Sequence, residues 1–226
     1  MAAPAATRLL AALALALATS SLAACSLSGP DDGGGASRTP GQPVAAFYGD
    51  SYTRGTGVSD PAFRWSTQVS KDRGWAEVNP SVDGLGYVIN RDLLGDDLVD
   101  LIVAEDPDIV LVTMGLNDNF AMPGQASEIE TAIRDDLDTF ADELPDARLV
   151  VVEPFWYTDE RPASVDTIIG WVRDAASDVG ADYIPGASRW LEGHPEWIAA
   201  DGIHPNDAGH TEIAERMDEE LEKLRL

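Results

Sequence analysis

Three residue types that together can attack a carbonyl lie at opposite ends of the chain. Ser51, in Gly49-Asp50-Ser51, offers a hydroxyl; Asp201 and His204, in Asp201-Gly-Ile-His204, offer a carboxylate and an imidazole. A serine hydroxyl is almost wholly protonated at neutral pH and needs a base to become a nucleophile. An imidazole such as that of His204 can take that proton and return it to a leaving group. Asp201, in a tight turn just before it, can hold the other ring nitrogen, fix the tautomer and stabilise the imidazolium. The oxyanion that forms on such an attack needs hydrogen-bond donors aimed at it. The Ser51 backbone N–H, the Gly84 N–H in Asn79-Pro-Ser-Val-Asp-Gly84-Leu-Gly86 and the Asn117 amide in Gly115-Leu-Asn117-Asp118 are candidates. Gly86 is the alternative to Gly84.

These residues act together only if the fold gathers them. From residue 44 onward, apolar runs of strand length alternate with amphipathic helical segments. The strands fall at residues 44–48, 75–79, 108–114, 148–152 and 181–184. The run at 108–114 is nearly continuous apolar sequence, as in a central parallel strand covered on both faces. Helical spacing marks residues 61–73. It also marks 92–105, with Leu94, Leu98, Leu101 and Ile102 on one side, and segments carrying Ile129 to Leu144, Val165 to Ala176 and Ile213 to Leu224. This order predicts an α/β fold, a three-layer α/β/α sandwich around a parallel sheet of about five strands. Ligands of such sheets bind beyond the carboxyl ends of the strands. Ser51 follows the first strand and Asn117 the third, so both are expected on one rim.

Taken in order and at normal spacing, Gly49-Asp50-Ser51, Gly84, Gly115-Leu-Asn117-Asp118 and Asp201-Gly-Ile-His204 resemble the four blocks of the SGNH, or GDSL-type, hydrolase family. The resemblance covers residue 44 to the C-terminus. It implies a flavodoxin-like sheet in the order 2-1-3-4-5, Ser51 as nucleophile, Gly84 and Asn117 in the oxyanion hole, and Asp201 and His204 completing the triad. The first block reads Gly-Asp-Ser-Tyr in place of Gly-Asp-Ser-Leu. The expected reaction is carboxylic-ester hydrolysis through an acyl-serine, without a cofactor, on short-chain or carbohydrate-linked acyl esters. An O-acyltransferase of the cell envelope and a non-catalytic tethered binding domain are the alternatives on this scaffold.

The other candidates have plainer readings. Asp50 is expected to brace the nucleophile turn, and Asp118 to bond backbone around the third block. His210, at a helix start, reads as a packing or capping residue. His194, beside Pro195, is the rival base but lacks a comparably placed acid. Trp65, Trp75 and Trp171 read as core. Phe155, Trp156 and Tyr157 follow the fourth strand on the active rim and are candidates to line a substrate pocket; Trp190 and Trp197 follow at lower rank, and Arg54 and Arg161 read as surface residues. No metal spacing occurs: the three histidines are scattered and there is no HExxH or paired-Cys pattern.

The N-terminus carries a different message. Arg8, an apolar stretch over residues 9–18 and Leu22-Ala23-Ala24-Cys25 resemble a lipoprotein signal, with residues 1–24 removed and Cys25 lipidated. Residues 25–43, rich in Gly, Ser, Pro and Asp, read as a flexible tether, and residues 44–226 as the hydrolase domain. A monomer lipid-anchored on the outer face of the bacterial cell membrane is expected. The formal charge of −25 disfavours nucleic acid and anionic lipid headgroups as partners. A lone Cys excludes an intramolecular disulfide, so the fold must stand on its core.

Overall fold

The computed structural model describes residues 39–226. The signal segment, Cys25 and all but the last five residues of the expected tether lie outside the described residues. Five parallel strands, β1 (Val44–Tyr48), β2 (Ala76–Val78), β3 (Ile109–Val112), β4 (Arg148–Val152) and β5 (Asp182–Ile184), form one sheet in the order β2-β1-β3-β4-β5. The α/β/α sandwich and this strand order are as expected. Strand alternation divides the core between the two faces of the sheet. Ala45, Phe47, Leu111, Val150 and Val152 pack beneath α2 (Trp65–Arg73) and α6 (Asp207–Lys223), with Trp65, Val69, Ile213, Met217 and Leu221. Ala46, Tyr48, Val110, Val112 and Val151 pack on the other side, against α3 (Leu98–Ala104), α4 (Ala126–Glu143) and α5 (Ala163–Asp178). Fully burying one such large side chain contributes roughly 1.5–3 kcal/mol. No helix among the described residues is long and apolar enough to cross a membrane.

Two helices differ from the sequence pattern. The segment at 61–73 is broken: a single 3-10 turn, Pro61–Phe63, is capped by Asp60, and extended Arg64 (ψ 135°) separates it from α2. The helix expected at 92–105 is only α3. Leu94 is extended, and Asp97 caps the helix by accepting from the Val99 N–H at 2.9 Å. Asp97 also takes Arg91 in a two-pronged contact of 2.9 and 3.0 Å. A side chain that caps a helix start forbids the helix from running through it. In consequence Leu98, Val99 and Ile102 face the core, whereas Leu101 is 41% exposed.

Arg91 also donates to Asp136 of α4 at 2.8 Å, and Asp136 accepts the buried Tyr48 hydroxyl at 2.5 Å. This network pins the long β2–α3 connection, which carries Gly84, to the end of β1.

Candidate active site

β1 ends at Tyr48, and a four-residue helix, α1 (Ser51–Arg54), starts two residues beyond Gly49. Asp50 caps it: its carboxylate accepts from the Tyr52 N–H at 2.9 Å. As the first residue of α1, Ser51 has no intrahelical acceptor for its own N–H. Its side chain lies at the sheet rim, with the residue 6% exposed.

The Asp-His segment is held from both ends. Ile198 and Pro205 form an antiparallel bridge, and the Ala199 N–H donates to the His204 carbonyl at 2.7 Å. Asn206 caps α6 through the Ala208 and Gly209 N–H groups and donates back to the carbonyls of Glu196 and Ile198. The block therefore precedes the last helix as a closed loop. Within it, Asp201 Oδ1 accepts from the N–H groups of Ile203 and His204, at 2.9 and 3.0 Å. Its Oδ2 lies 2.7 Å from His204 Nδ1, and His204 Nε2 lies 3.0 Å from Ser51 Oγ. The bond to the His204 ring, reinforced by these backbone donors, holds the Asp201 carboxyl down at about 2. It stays ionised at any working pH and can keep Nδ1 protonated, leaving Nε2 as the acceptor for the serine proton.

The oxyanion candidates surround the same serine. The loop bearing Gly84 is fixed by Asp83, which accepts from Thr56 Oγ1 at 2.6 Å and Arg54 at 3.2 Å. Asn90 Nδ2 holds the Gly84 carbonyl at 2.8 Å. The Gly84 N–H has no acceptor among the described residues, whereas the Gly86 N–H is committed to the Ile89 carbonyl at 2.9 Å. That difference favours Gly84 over Gly86 as the available donor. Asn117 opens a 3-10 turn after β3, and its Nδ2 donates to the Leu85 carbonyl at 2.8 Å and to Asp50 Oδ2 at 3.1 Å. Both amide hydrogens are engaged in the free protein, so contact with an oxyanion requires the Asp50 bond to be shared or exchanged.

Asp50 does more than brace a turn, because it joins the nucleophile helix to Asn117. Complete burial pushes its carboxyl up to about 7, against the pull of the Tyr52 N–H. Asp118 bonds the N–H groups of Tyr87, Val88 and Ile89, at 2.8, 2.9 and 3.4 Å. It thereby ties the third block to the second.

His210 is fully buried, receives the Trp65 N–H at 3.4 Å and is held down at about 4 by burial. A neutral packing residue fits that environment. His194 does have an acid: its Nδ1 lies 2.8 Å from Glu196 Oε1, and its ring is stacked on Trp197 with centroids 3.6 Å apart. The carboxylate comes from the same short turn, at a spacing too local for the sequence pattern to flag. Neither His194 nor Glu196 has a bond to Ser51.

The aromatic run after β4 divides. Phe155 is core, 1% exposed and stacked on Tyr52 at 5.7 Å, so it is not a pocket residue. Trp156 is also buried, 4% exposed and in the same core cluster, and touches the wall of an open groove of about 900 Å³ that runs past Ala199 and Gly202; the partly buried Tyr157 lines the same groove. Trp65 and Trp75 are core, Trp171 packs at the core edge, and Trp190 is buried. Arg54 is exposed; Arg161 instead lines the groove, bound to Ser188 and lying 3.5 Å from Asp166.

One residue was not singled out by its type. Tyr52, fully buried, donates its hydroxyl to the Ile203 carbonyl at 2.6 Å. The only signal was the tyrosine that follows Gly-Asp-Ser, where leucine is the namesake residue. Among the described residues no cluster of His, Cys, Asp and Glu has the arrangement to hold a metal ion.

Known proteins share the family and the fold of this chain. Residues 47–211 match the model of the GDSL-like Lipase/Acylhydrolase family. A GDSL lipase of Mycobacterium tuberculosis is 31% identical over 184 residues, spanning 77% of this chain and 79% of the relative. Among solved structures, the psychrotrophic esterase EstA of Pseudoalteromonas sp. superposes with a TM-score of 0.64 at 15% identity, over 81% of this chain and 98% of its own. An acetylxylan esterase of Geobacillus stearothermophilus gives 0.58 at 18% identity, over 76% and 91%. At those identities the two structures speak for the fold alone, while the family match and the mycobacterial relative carry the sequence kinship. A parallel sheet whose rim brings Ser51, His204 and Asp201 into line, in a chain matched over most of its length, is that of an SGNH-type ester hydrolase, and the chain belongs to the GDSL-like lipase/acylhydrolase family.

Proposed function

We propose that the protein is an extracytoplasmic serine esterase that works through an acyl-serine intermediate, anchored by a lipid on Cys25. The observation that carries the chemistry is the continuous line from Asp201 Oδ2 to His204 Nδ1, 2.7 Å, and from His204 Nε2 to Ser51 Oγ, 3.0 Å. His204 takes the hydroxyl proton as Ser51 Oγ bonds to the ester carbonyl carbon. The oxyanion is met by the N–H groups of Ser51 and Gly84 and by Asn117. Its collapse breaks the bond to the alcohol oxygen, and His204 gives its proton to the departing alcohol. Water then yields a proton to His204 and attacks the acyl-serine. The acid leaves and Ser51 Oγ recovers the proton.

The acyl group is short in this reading, and the ester small or carbohydrate-linked. The groove past Ala199 and Gly202 is open rather than roofed, and any long chain lying there would stay largely in water, gaining little from burial. One fold relative is described as an acetylxylan esterase. Two measurements test the reading. Purified protein should hydrolyse aryl acetates and be labelled by a fluorophosphonate on Ser51. Ser51→Ala should lose label and turnover together, and near-full activity in that variant would refute the mechanism.

A further inference from the structure

Most bonds of the Asp-His loop stay within it or run to its own neighbours in the chain. Asp201 holds His204, and the loop closes on Trp197, Ile198 and Ala199. Such bonds orient the imidazole but do not set its distance from Ser51. That distance depends on contacts that cross from the nucleophile segment to the histidine segment.

The turn that follows α1, residues 55–59, supplies crossings in two directions. It hangs from the nucleophile, because the N–H groups of Gly55 and Thr56 both donate to the Ser51 carbonyl, at 3.0 and 2.9 Å. Toward the base, the Ser59 N–H and hydroxyl donate to the two carboxylate oxygens of Asp207, at 2.7 and 2.6 Å. Asp207 opens α6, just beyond His204. The Ser59 hydroxyl, joined by its N–H, holds the Asp207 carboxyl below the ordinary carboxylate range, so both bonds are charge-assisted. Toward the oxyanion, Thr56 Oγ1 donates to Asp83 Oδ1 at 2.6 Å, one residue before Gly84.

The middle of the turn lies against the base itself. Gly57 has φ +104°, and a Cβ there would stand 2.2 Å from the Pro205 carbonyl oxygen and 3.2 Å from His204 Cβ. Glycine allows both the dihedral and the approach. The bond from Tyr52 to Ile203 grips the loop on one side of His204, and a single tie leaves the loop free to pivot about it. Asp207 is gripped on the other side, so the two ties straddle the base.

We infer that the turn 55–59 is a positioning element of the hydrolase: Ser59, through Asp207, keeps His204 within reach of Ser51, and Thr56, through Asp83, keeps the Gly84 N–H aimed at the oxyanion. The inference rests on the esterase reading above and adds two residues that have no bond to a triad side chain. A misplacement of about 1 Å can cost about a hundredfold in rate. Ser59 is exposed and its N–H survives truncation of the side chain, so loss of the hydroxyl should cost about fivefold.

The two arms of the turn separate by leaving group. An alkyl alcohol needs His204 to protonate it as it departs, whereas 4-nitrophenolate leaves unaided. The test compares kcat/KM for ethyl acetate and 4-nitrophenyl acetate in the full-length protein. Ser59→Ala should lose about fivefold on the nitrophenyl ester and about threefold more on the ethyl ester, and Ser59→Thr should recover both. Thr56→Val should lose by one common factor on the two esters, and Thr56→Ser should recover it. The ratio between esters does not depend on how much of a variant is folded. An unchanged ratio in Ser59→Ala, a loss that Ser59→Thr leaves in place, or wild-type rates in Thr56→Val would overturn the proposal. Fluorophosphonate labelling of Ser51 reads the attack without ester turnover: its rate should fall about fivefold in Ser59→Ala and return in Ser59→Thr. If the wild type takes the label but cleaves neither ester, the esterase reading fails while the labelling rates still decide the role of Ser59. A wild type that does neither overturns both.

Discussion

The Tyr52 hydroxyl donates to the Ile203 carbonyl at 2.6 Å, joining the residue after the nucleophile to the residue before the base. Tyr52 is fully buried, and its ring stacks on Phe155 and lies 6.1 Å from the His204 ring. The contact spans 151 positions of sequence, so it fixes the serine helix and the histidine loop relative to one another. Leucine at this position could pack on Phe155 but could not hold the carbonyl. Tyr52→Phe should lower kcat severalfold with little change in KM, and cost about 1 kcal/mol of stability. Steady-state kinetics and denaturant melts on the variant check both.

Asp50 and Asn117 form a second link. In Asp50→Asn, one side-chain position must place an NH₂ where either the Tyr52 N–H or the Asn117 amide now donates. Misaimed Asn117 should lower kcat by about ten- to a hundredfold. Stability should move in a defined direction with pH. The folded-state value of about 7 lies above the ordinary 3.8, so the folded protein holds the proton more tightly. Wild-type stability from this group is highest below about 4, declines as pH rises to about 7, and is flat beyond. Thermal melts at pH 5 and pH 8 should show the wild type losing stability relative to Asp50→Asn across that interval.

Removing the acid and removing the base should not be equivalent. His204→Ala deletes the proton acceptor of Ser51 outright. Asp201→Asn keeps a side-chain oxygen for the backbone donors but turns an NH₂ toward His204 Nδ1, which favours the tautomer that cannot accept from serine. The Asp201 side chain is 46% exposed, so water can partly replace it. The expected kcat losses are about 10² or more for Asp201→Asn and a larger one for His204→Ala. Equal losses would mean that the carboxylate does everything the imidazole does.

Gly84 and Gly86 should respond differently to a methyl group. At Gly86 a Cβ would sit 2.5 Å from the Asp118 carboxylate, which holds three backbone N–H groups. Gly86→Ala should therefore dislodge the whole second block and destabilise the protein by about 1–3 kcal/mol. Gly84 has φ +71°, and its nearest neighbour to a Cβ is Asn90 Nδ2 at 3.2 Å. Gly84→Ala should cost about 1–2 kcal/mol of backbone strain and reduce kcat by displacing the free N–H. Circular-dichroism melts alongside turnover separate the two cases.

His210 sets an acid limit on the fold. Its folded value near 4 lies below the ordinary 6.5 because burial penalises the charged ring. The folded protein thus binds fewer protons than the unfolded chain in this window. The stability that His210 contributes is complete above pH 6.5 and is lost as pH falls through about 4. His210→Gln should be less stable at pH 7 but show a flatter decline between pH 6.5 and 4.5, measured by thermal melts.

The sheet, its strands and the identity of the triad candidates were legible in the order of residue types alone. Buried parallel strands must be continuously apolar, and residues at their ends must meet on one rim, so Ser51 and Asn117 could be placed before any contact was known. The ends of elements were less legible. A helix from 92 to 105 has the right periodicity, but Asp97 caps from inside it and Arg91 holds that cap. Periodicity also says that a residue is buried without saying against what. Phe155 and Tyr157 are both aromatic and follow the same strand, yet one stacks on Tyr52 in the core and the other lines a groove. Which N–H stays free, Gly84 or Gly86, depends on a single carbonyl, that of Ile89. The bond of Tyr52 to Ile203 and the groove behind the histidine loop are properties of chain segments brought together from far apart. Only tertiary structure decides them, because hydrogen bonds and cavities depend on distance and direction, and a linear pattern of residue types carries neither.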